Sequence, residues 1–592
     1  CQGFRYQIQR LSLLTIFKNQ ISKFIFNKRY CERGNYFRMA HIILCTFSGY
    51  PQTPSCFALD NGLASLAGIL ITNGHQVLIE DFNRLSVAEK FMHQDSTQNT
   101  VQDGGLNTAY PNVCSSVMDE LFEQLATSIK QHNSTVVGFK CWAGDGLVAV
   151  KRWCSELRKR FPEIKILLGG PTCKIAPEFT AKTIEHFDFM VTNEGERAVP
   201  ALLDHLEKGH PIEKAPGVLY VRNGKFIKTP VSLVDNLDEI SHAVYDREVY
   251  PSAWGNDKLR LVVLDESRGC PMSCHFCVHP VISNRWRMRS VEGILAEISH
   301  VQKQLGARFF RFSGSYTPPK LLMDLSREII KRGMDMRFSC FMHVNGVKEE
   351  YVPTFYEAGL RCIFFGVESA DDELLKTAIN KKTSSDRILR AIKSMSDQGV
   401  FVTGSFIYPL PFETTESRAN TVSFLRHAFS YNQHASAQLL TPFPVPQTPW
   451  GLQRDHFGFE FDDDKYIHDL LTYAGARFNY DPGLRTSLPF KLNGKTHAEL
   501  IADLSALTAE LKNDDISFNI SDDVAIIAIG CDIHPFEFKE TVMPSLLSGR
   551  LDIIRTVIEK FNGNQCRRAN PLPAHRRMKP AHGPLRNLAM NT

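Results

Sequence analysis

The sequence predicts an α/β protein built from two parallel sheets, and three observations support this. Two series of apolar, strand-like runs alternate with helix-length amphipathic stretches, one over residues 41–207 and the other over residues 260–440. A hairpin-like segment and a linker separate the two series, and the pattern after residue 450 is mostly helical. Alternation of this kind is typical of βαβ units. We therefore expect an N-terminal open parallel, Rossmann-like sheet, a central partial (β/α)6 barrel and a C-terminal mostly helical region.

The first series predicts five strands, each followed by a helix. The apolar runs predict strands at 41–47, 76–81, 135–141, 165–169 and 188–192. The amphipathic stretches predict helices at 60–73, 114–130, 146–160, 176–185 and 197–207. Residues 83–113 are rich in Gln, Asn, Gly and Thr, so we predict an inserted loop there. A ligand on such a sheet is expected at the carboxyl ends of the strands.

The second series begins after a hairpin predicted over residues 218–229, which turns at Asn223-Gly224. Its strands are predicted at 260–266, 308–313, 336–342, 361–367, 401–407 and 435–440. Its helices are predicted near 291–304, 319–332, 348–358, 384–398 and 415–430. Six strands separated by helices are consistent with a partial barrel. Later helices are predicted near 464–475, 497–512 and 549–561.

These patterns divide the chain into six parts. We predict a disordered leader at residues 1–38, a ligand-binding α/β domain at 39–215 and a hairpin with a linker at 216–259. The partial barrel follows at 260–450, then a mainly helical domain at 451–564 and a disordered basic tail at 565–592. Met39 stands directly before the first strand, so the leader is left out of the predicted fold. An organelle transit segment and an untranslated leader read as protein are both consistent with it.

The composition excludes several classes of protein. Hydrophobic residues make up 43% and charged residues 22%, an ordinary globular balance. The net charge of the chain is +4, but the positive charge is concentrated at the two ends. Residues 1–38 carry +7 and residues 565–592 carry +6, so residues 39–564 carry −9. We therefore expect no nucleic-acid partner. No run reaches the ~18 apolar residues of a spanning helix, so we expect no membrane. Fifteen cysteines without a signal peptide favour a reducing, cytoplasmic location.

The sharpest local signal is a cluster of three cysteines directly after the first strand of the second series. Cys270, Cys274 and Cys277 have the spacing C-x3-C-x2-C. Zinc usually takes four protein ligands and C-x2-C pairs, whereas three cysteines leave one iron of a [4Fe–4S] cluster open to a small molecule. We therefore predict an iron–sulfur cluster on this loop. Most of the other cysteines lie in apolar strand-like runs and are interpreted as core residues.

This spacing, with the aromatic Phe276 before the last cysteine and its place after strand one of a partial barrel, resembles the radical SAM superfamily. The resemblance implies that the three cysteines hold the cluster and that S-adenosylmethionine (SAM) binds its open iron. It also implies that SAM contacts Phe276 of the cysteine motif and Ser313, Gly314 and Ser315, which stand where the family often has Gly-Gly-Glu. Further SAM contacts are implied for Glu368 and Ser369 of a Gly-Val-Glu-Ser segment and for Lys381 in the basic turn that follows. Ser315 replaces the family's acid. Two later segments keep the family pattern without its glycines, which are replaced by Pro409, Phe412 and Gln447.

The carboxyl ends of the first series carry small and polar residues. An open α/β sheet with such ends before a radical SAM barrel resembles the cobalamin (B12)-binding domain of B12-dependent radical SAM enzymes. The resemblance implies that cobalamin contacts the strand ends, at Ser48, Gly49, Tyr50, Trp142, Gly169, Gly170, Pro171, Glu194, Gly195 and Glu196. Residues 39–200 contain no Asp-x-His-x-x-Gly motif, so we expect no histidine on cobalt.

Together these resemblances imply a cobalamin-dependent radical SAM methyltransferase acting on an unactivated carbon of a small-molecule or peptide substrate. An external electron donor of the flavodoxin or ferredoxin type is implied as well. A cobalamin-dependent rearrangement or oxidation would use the same cofactors and stays open. A methylthiotransferase would need a second cluster from Cys45, Cys56, Cys114, Cys141 and Cys173, although Cys45 and Cys141 lie inside predicted strands. A passive cobalamin- or cluster-based sensor is the non-enzymatic alternative. No proton-transfer residue can be named from the sequence.

Overall fold

The computed structural model describes residues 39–94, 113–472 and 487–565. The predicted leader, the predicted tail from residue 566 and the middle of the predicted inserted loop lie outside the described residues. The fold class is confirmed, because two parallel sheets occur in the predicted order with helices between their strands. Among the described helices, none combines the length and apolar character needed to cross a membrane.

The first sheet has seven strands in the order β2-β1-β3-β4-β5-β6-β7. Its strands are β1 (His41–Phe47), β2 (Gln76–Asp81), β3 (Val136–Cys141), β4 (Lys165–Gly169), β5 (Phe189–Val191), β6 (Val218–Arg222) and β7 (Lys225–Lys228). Strands β1 to β5 pair in parallel. The predicted hairpin forms, and it extends this sheet as the antiparallel strands β6 and β7 rather than standing apart with the linker.

In the described part of this domain, seven helices accompany the sheet. They are α1 (Asn61–Thr72), α2 (Leu85–Gln94), α3 (Val113–His132), α4 (Asp145–Arg160), α5 (Pro171–Ile175), α6 (Pro177–Thr183) and α7 (Gly195–Lys208). Helix α2 contradicts the predicted loop, because Leu85, Ala88 and Phe91 recur on one helical face and are buried. The helix predicted at 176–185 forms as α6, and the unpredicted short helix α5 precedes it; the two are separate because a proline follows Ala176 and disfavours helical backbone there.

The second sheet is the predicted partial barrel, six parallel strands in the order β15-β14-β13-β12-β11-β8. The strands between residues 262 and 440 are β8 (Val262–Leu264), β9 (Ser267–Arg268), β10 (Arg287–Met288), β11 (Phe309–Phe312), β12 (Arg337–Met342), β13 (Leu360–Glu368), β14 (Phe401–Ile407) and β15 (Ala435–Leu440). Strands β9 and β10 form a separate two-stranded ladder. Every residue of β14 is buried, as expected for a central strand of a parallel sheet that is covered on both faces.

The barrel contains the five predicted helices and two short helices that were not predicted. They are α8 (His279–Ser283), α9 (Val291–Leu305), α10 (Pro319–Lys331), α11 (Val352–Glu357), α12 (Asp372–Thr377), α13 (Ser385–Asp397) and α14 (Thr415–Phe429), of which α8 and α12 are the two that were not predicted. Local signals set their ends. Ser290 caps α9 by accepting from Gly293 N, and Gly306 ends that helix with left-handed backbone.

The C-terminal region is mainly helical, as predicted, and also contains a small antiparallel sheet. Its elements are α15 (Pro449–Leu452), α16 (Arg454–Phe457), β16 (Phe459–Phe461), α17 (Asp463–Thr472), β17 (Phe490–Leu492), β18 (Lys495–Thr496), α18 (His497–Glu510), α19 (Asp522–Gly530), α20 (Pro535–Thr541), α21 (Met543–Leu547) and α22 (Leu551–Asn564). Helix α19 is buried over its whole length, because Val524 to Ile529 are apolar on every face.

Candidate active site

The three cysteines of the C-x3-C-x2-C motif lie on one loop that the β9–β10 ladder closes at its base. Gly269, the first residue of the loop, has a φ of +83°, and a Cβ atom there would stand 2.7 Å from the Arg285 carbonyl oxygen. Only glycine fits this position without moving backbone. Cys270, Cys274 and Cys277 are free thiols, each half-buried. The sequence therefore brings all three onto one short, anchored segment.

The electrostatics of the loop follow from its burial. Removal from water raises the pKa of all three thiols, to about 11 for Cys274 and about 12 for Cys277. The Lys381 ammonium acts in the opposite direction on Cys270 and Cys274, which places a cation beside the loop. Thiols with raised pKa values stay protonated until a metal displaces the proton.

Two later segments hold the cysteine loop against the barrel. His275 N donates to the Ile379 carbonyl at 2.9 Å, and Trp450 N donates to the His275 carbonyl at 3.1 Å. The ring of Phe276 lies 5.7 Å from that of Trp450, so the aromatic residue before the last cysteine packs into the C-terminal region. In this structure Phe276 therefore helps to seat the loop, and its contact with SAM stays a prediction.

The Gly-Val-Glu-Ser segment and the basic turn meet in a buried polar cluster. Lys381 Nζ donates to the Gly366 carbonyl and lies 3.5 Å from the Glu368 carboxylate, to which Ser405 donates at 3.2 Å. Glu368 has a φ of +68°, and burial raises the pKa of its carboxyl group. Ser369 is buried and accepts a hydrogen bond from a backbone N–H two residues later, so it shapes the turn.

The segment that replaces Gly-Gly-Glu lies against two acids that end β8. Ser313 donates to Asp265 at 2.9 Å, and Gly314 N donates to Glu266 at 2.9 Å. A Cβ atom at Gly314 would come within 2.4 Å of the Glu266 carboxylate, so any larger residue here would displace that carboxylate. Ser315 is half-buried in the turn that follows. Predicted contacts of these three residues with SAM stay predictions.

Glu266 is the acid that sequence reasoning missed. It is buried, accepts from Thr317 at 2.6 Å, and burial raises its pKa to about 7. The resemblance implies an acid at the position of Ser315, and the structure brings one there from the neighbouring strand. The available signal was the Asp-Glu pair at the carboxyl end of the first barrel strand.

The interior of the barrel is an open chamber. On each of five strands, at least one side chain that points toward the interior is half-buried, although other interior residues such as Ser339 are fully buried. Half-buried interior positions are Val263, Arg311, Phe341, Phe364, Gln438 and Leu440. Phe341 and Phe364 are in contact, with ring centroids 5.0 Å apart. A filled barrel core would bury these positions completely, so the chamber has room for a ligand.

One end of the chamber is closed by the start of α19. Arg311 donates two hydrogen bonds to Asp522, at 2.8 and 2.9 Å, and Ser339 donates to the same carboxylate at 2.9 Å. Thr403 donates to the Ile520 carbonyl at 2.9 Å. This polar layer joins strands β11, β12 and β14 to the C-terminal region and leaves the other end of the barrel, beside the cysteine loop, as the mouth.

The carboxyl edge of the first sheet begins with the predicted cobalamin contacts after β1. The backbone N–H and hydroxyl of Ser48 donate to Asn83 at 2.7 and 2.8 Å. Gly49 has a φ of +95°, and its missing side chain leaves room for Asp145. The Tyr50 hydroxyl donates to a carbonyl of α21 at 2.8 Å. This strand end is thus tied to its own domain and to the C-terminal region.

The end of β3 combines an indole with a cation. Trp142 donates to the Thr46 hydroxyl at 3.0 Å, and the Lys140 ammonium lies 4.6 Å from the Trp142 ring centroid. Lys140 also pairs with Asp60 at 2.7 Å. Trp142 is half-buried, so part of its ring is available at this edge.

The Gly-Gly-Pro turn after β4 shows two different environments. A Cβ atom on Gly169 would have no atom within 4 Å, whereas one on Gly170 would stand 3.1 Å from Cys141 N and 3.2 Å from its carbonyl oxygen. Gly170 also has a φ of +95°. Pro171 is the first residue of α5, where its missing N–H costs no hydrogen bond. Gly169 therefore faces open space, and Gly170 is required by the fold.

The end of β5 carries an ion-pair network that crosses to the barrel. Glu194 accepts from both terminal nitrogens of Arg287, and Arg268 pairs with Glu194 at 3.4 Å and with Glu196 at 2.5 Å. Although burial alone would raise it, these arginines lower the pKa of Glu194. Gly195 begins α7 between the two acids. The two glutamates predicted to contact cobalamin are thus bound to the base of the cysteine loop.

Family models match both parts of this site. Residues 58–203 match the B12 binding domain, and residues 267–425 match the Radical SAM superfamily. The chain therefore combines a B12-binding domain with a radical SAM domain, the arrangement that defines cobalamin-dependent radical SAM enzymes. This confirms the resemblance seen in the sequence, and it identifies the cofactors as a [4Fe–4S] cluster, SAM and cobalamin.

Individual relatives add detail. A protein named as an uncharacterized methyltransferase from Pyrococcus horikoshii is 29% identical over 332 residues, which cover 55% of this chain and 71% of the relative. An anaerobic magnesium-protoporphyrin IX monomethyl ester cyclase from Rubrivivax gelatinosus is 26% identical over 322 residues, covering 52% of this chain and 57% of the relative. The solved structure of the radical SAM methyltransferase TsrM from Kitasatospora setae shares the fold, with a TM-score of 0.58 at 15% identity, over 88% of this chain and 99% of that one.

The residues present fit a cluster better than a single ion. Within the described ranges, no three His, Cys, Asp or Glu side chains are arranged to hold one metal ion. A [4Fe–4S] cluster takes one thiolate on each of three irons, so three cysteines of one loop can hold it without sharing a single metal centre. Of the cysteines required for a methylthiotransferase's second cluster, Cys45, Cys141 and Cys173 are buried in the first domain.

Proposed function

We propose that this protein transfers a methyl group from SAM, by way of cobalamin, to an unactivated carbon of a small-molecule or peptide substrate. One observation supports the proposal above the others. The ion pairs from Glu194 and Glu196 to Arg287 and Arg268 hold the carboxyl edge of the B12-binding sheet against the base of the cysteine loop. Cofactors bound at these two places would share the space at the mouth of the barrel.

The chain's own residues would bind and orient the cofactors. Cys270, Cys274 and Cys277 would hold the cluster, and Lys381 with Glu368 would place a cation and a carboxylate beside it. On the first sheet, Gly169 leaves open space at the edge and Trp142 offers part of its ring. When bound, the cluster with SAM supplies one-electron chemistry that removes a substrate hydrogen, and cobalamin supplies the methyl group.

The barrel chamber would hold the substrate and exclude water. Phe341 and Phe364 give it an apolar wall, and the Arg311–Asp522 ion pair closes the end away from the cysteine loop. Excluding water from such a chamber protects reactive species from side reactions. An apolar wall, together with the half-buried Gln438 on β15 of the same barrel, suits a substrate with a large apolar part and few polar groups.

The proposal includes an external electron donor of the flavodoxin or ferredoxin type and no nucleic-acid partner. It also includes a cytoplasmic location, because Cys270, Cys274 and Cys277 must stay reduced to bind iron. The body of the chain between residues 39 and 564 carries a net charge of −9, which does not favour binding to a phosphate backbone.

A cobalamin-dependent rearrangement or oxidation is the second candidate. It is favoured by the relative from Rubrivivax gelatinosus, whose name is that of a cyclase rather than a methyltransferase. The same site would serve either reaction, since the cluster loop, the chamber and the B12-binding edge are common to both.

Product counting separates the two reactions. Anaerobically reconstituted protein carrying both cofactors would be reduced and incubated with SAM labelled on its methyl group. A methyltransferase should form 5′-deoxyadenosine and S-adenosylhomocysteine, with label first in the cobalamin fraction and then in the product. 5′-Deoxyadenosine without S-adenosylhomocysteine and without transferred label would reject methyl transfer in favour of rearrangement or oxidation.

A further inference from the structure

A buried histidine lies at the mouth of the barrel. His343 directly follows β12 and continues its inward-facing series, after Ser339 and Phe341. Only 8% of the residue is exposed. Neither the family matches nor the sequence motifs assign it a role.

The hydrogen bonds of His343 fix which ring nitrogen carries the proton. Its Nδ1 atom accepts from Asn345 N at 3.2 Å, where the side chain caps a short 3-10 turn. Burial, assisted by the Lys381 ammonium, lowers the pKa of the imidazole to about 4, so the ring is neutral near pH 7. A neutral ring that accepts at Nδ1 carries its proton on Nε2.

The Nε2–H group is a donor without an acceptor. It is buried and has no hydrogen-bond partner in the described part of the chain. A buried donor left unpaired is destabilising, and such groups in native proteins usually meet a ligand or an ordered water. The group therefore marks a place where the folded protein expects an acceptor.

The groups around His343 indicate which kind of acceptor its Nε2–H would bind. Lys381 acts electrostatically on His343 and on the thiols of Cys270 and Cys274, so its ammonium lies near both the histidine and the cysteine loop. Lys381 itself donates to the Gly366 carbonyl and lies near Glu368. A cationic donor and a neutral donor at one mouth suit an anionic oxygen acceptor, since charge-assisted hydrogen bonds are the strong ones.

We propose that His343 Nε2–H donates a hydrogen bond to the carboxylate of SAM, next to Lys381. This rests on the proposed function, in which SAM binds beside the cysteine loop. His343 is thus a binding residue for the methionine part of SAM rather than a proton-transfer group, because a neutral ring beside a lysine does not gain a proton at working pH.

The test measures SAM affinity rather than turnover. Holoprotein with cluster and cobalamin would be kept oxidised, so that SAM stays intact, and titrated by calorimetry with SAM and with decarboxylated SAM, which lacks only the carboxylate. The variant is His343→Asn, because Asn can still accept from Asn345 N while it has no donor at the position of Nε2. His343→Gln restores an N–H near that position.

The expected result is a loss of roughly tenfold in SAM affinity for His343→Asn, about 1.4 kcal/mol, with unchanged affinity for decarboxylated SAM. His343→Gln should recover most of the loss. The matched control is His300→Asn, since His300 on α9 also has a buried, unpartnered Nε2 and lies outside the barrel mouth. This control should bind both ligands as the wild type does.

Two results would overturn the inference. Equal losses for SAM and decarboxylated SAM would mean that His343 only shapes the site, and an unchanged SAM affinity would mean that it makes no contact. Iron and sulfide analysis of each variant separates these outcomes from failure of the proposed function. Wild-type protein that carries the cluster and binds no SAM would reject both proposals together.

Discussion

Arg287 holds Glu194 with both of its terminal nitrogens, Nη1 to Oε2 at 2.9 Å and Nη2 to Oε1 at 2.7 Å. Both side chains are 6% exposed. Arg287 belongs to the ladder that closes the cysteine loop, and Glu194 lies between β5 and α7 at the carboxyl edge of the B12-binding sheet. A two-point pair of this kind fixes orientation as well as distance, so the loop and the sheet edge are held in one arrangement.

Breaking this pair should destabilise the protein strongly. Glu194→Gln should lower the free energy of unfolding by about 3 kcal/mol, because Arg287 is left buried with its charge unpaired. Urea unfolding followed by circular dichroism measures the change. Asp235→Asn is the control, since Asp235 pairs with Arg285 where both side chains are more than half exposed, 66% and 52%. That variant should lose less than about 1 kcal/mol, and equal losses for the two variants would contradict the assignment.

The cluster ligands should be separable from the structural cysteines. Replacing Cys270, Cys274 or Cys277 by Ala should abolish cluster assembly, because each is expected to bind a different iron. The measurement is the iron and sulfide content after anaerobic reconstitution. Cys340→Ala and Cys362→Ala are the controls: both residues are fully buried in barrel strands, and their loss should cost about 1–2 kcal/mol of stability and no iron. Full iron content in a Cys274→Ala variant would refute the cluster assignment.

The two glycines after β4 should respond differently to substitution. Gly169→Phe should fold normally and block cobalamin uptake, because a Cβ atom there meets open space. Gly170→Ala should instead lose about 1–3 kcal/mol of stability, since its left-handed backbone and the nearby backbone of Cys141 disfavour any side chain. Absorbance of bound cobalamin and thermal unfolding give the two readouts. Normal cobalamin uptake by Gly169→Phe would move the corrinoid site elsewhere.

Much of the fold follows from local sequence patterns. Strand β14 agrees with its prediction at both ends, where the apolar pairs Phe401-Val402 and Phe406-Ile407 stand. The hairpin turn at Asn223-Gly224 adopts left-handed backbone at both residues. Phe412 and Gln447, which replace family glycines, keep a positive φ of 65° and 69°. Helix α2 was missed because the Gln- and Asn-rich composition of residues 83–113 concealed its apolar spacing.

The tertiary contacts of the site could not be predicted in the same way. Glu194 and Arg287 are 93 residues apart, and a pair formed across domains leaves no pattern in either segment. Glu266 and His343 are single residues whose roles depend on the strands beside them. The three cysteines were found because the cluster requires them on one loop, so their short spacing can be recognised in the sequence.

The pH dependence of stability should report on Glu266. Burial raises its folded pKa to about 7 from an ordinary value of 4.5, so between these two pH values the unfolded chain releases a proton that the folded protein keeps. Stability therefore falls as pH rises across this window, by about 3 kcal/mol in total. Glu266→Gln should remove that decline, which urea unfolding between pH 4 and pH 8 measures. Thr317→Val should extend the decline above pH 7, because the Thr317 hydroxyl donates to Glu266 and favours its ionised form. A wild-type profile parallel to that of Glu266→Gln over the whole range would show that this carboxyl group has the same pKa in the folded and unfolded protein.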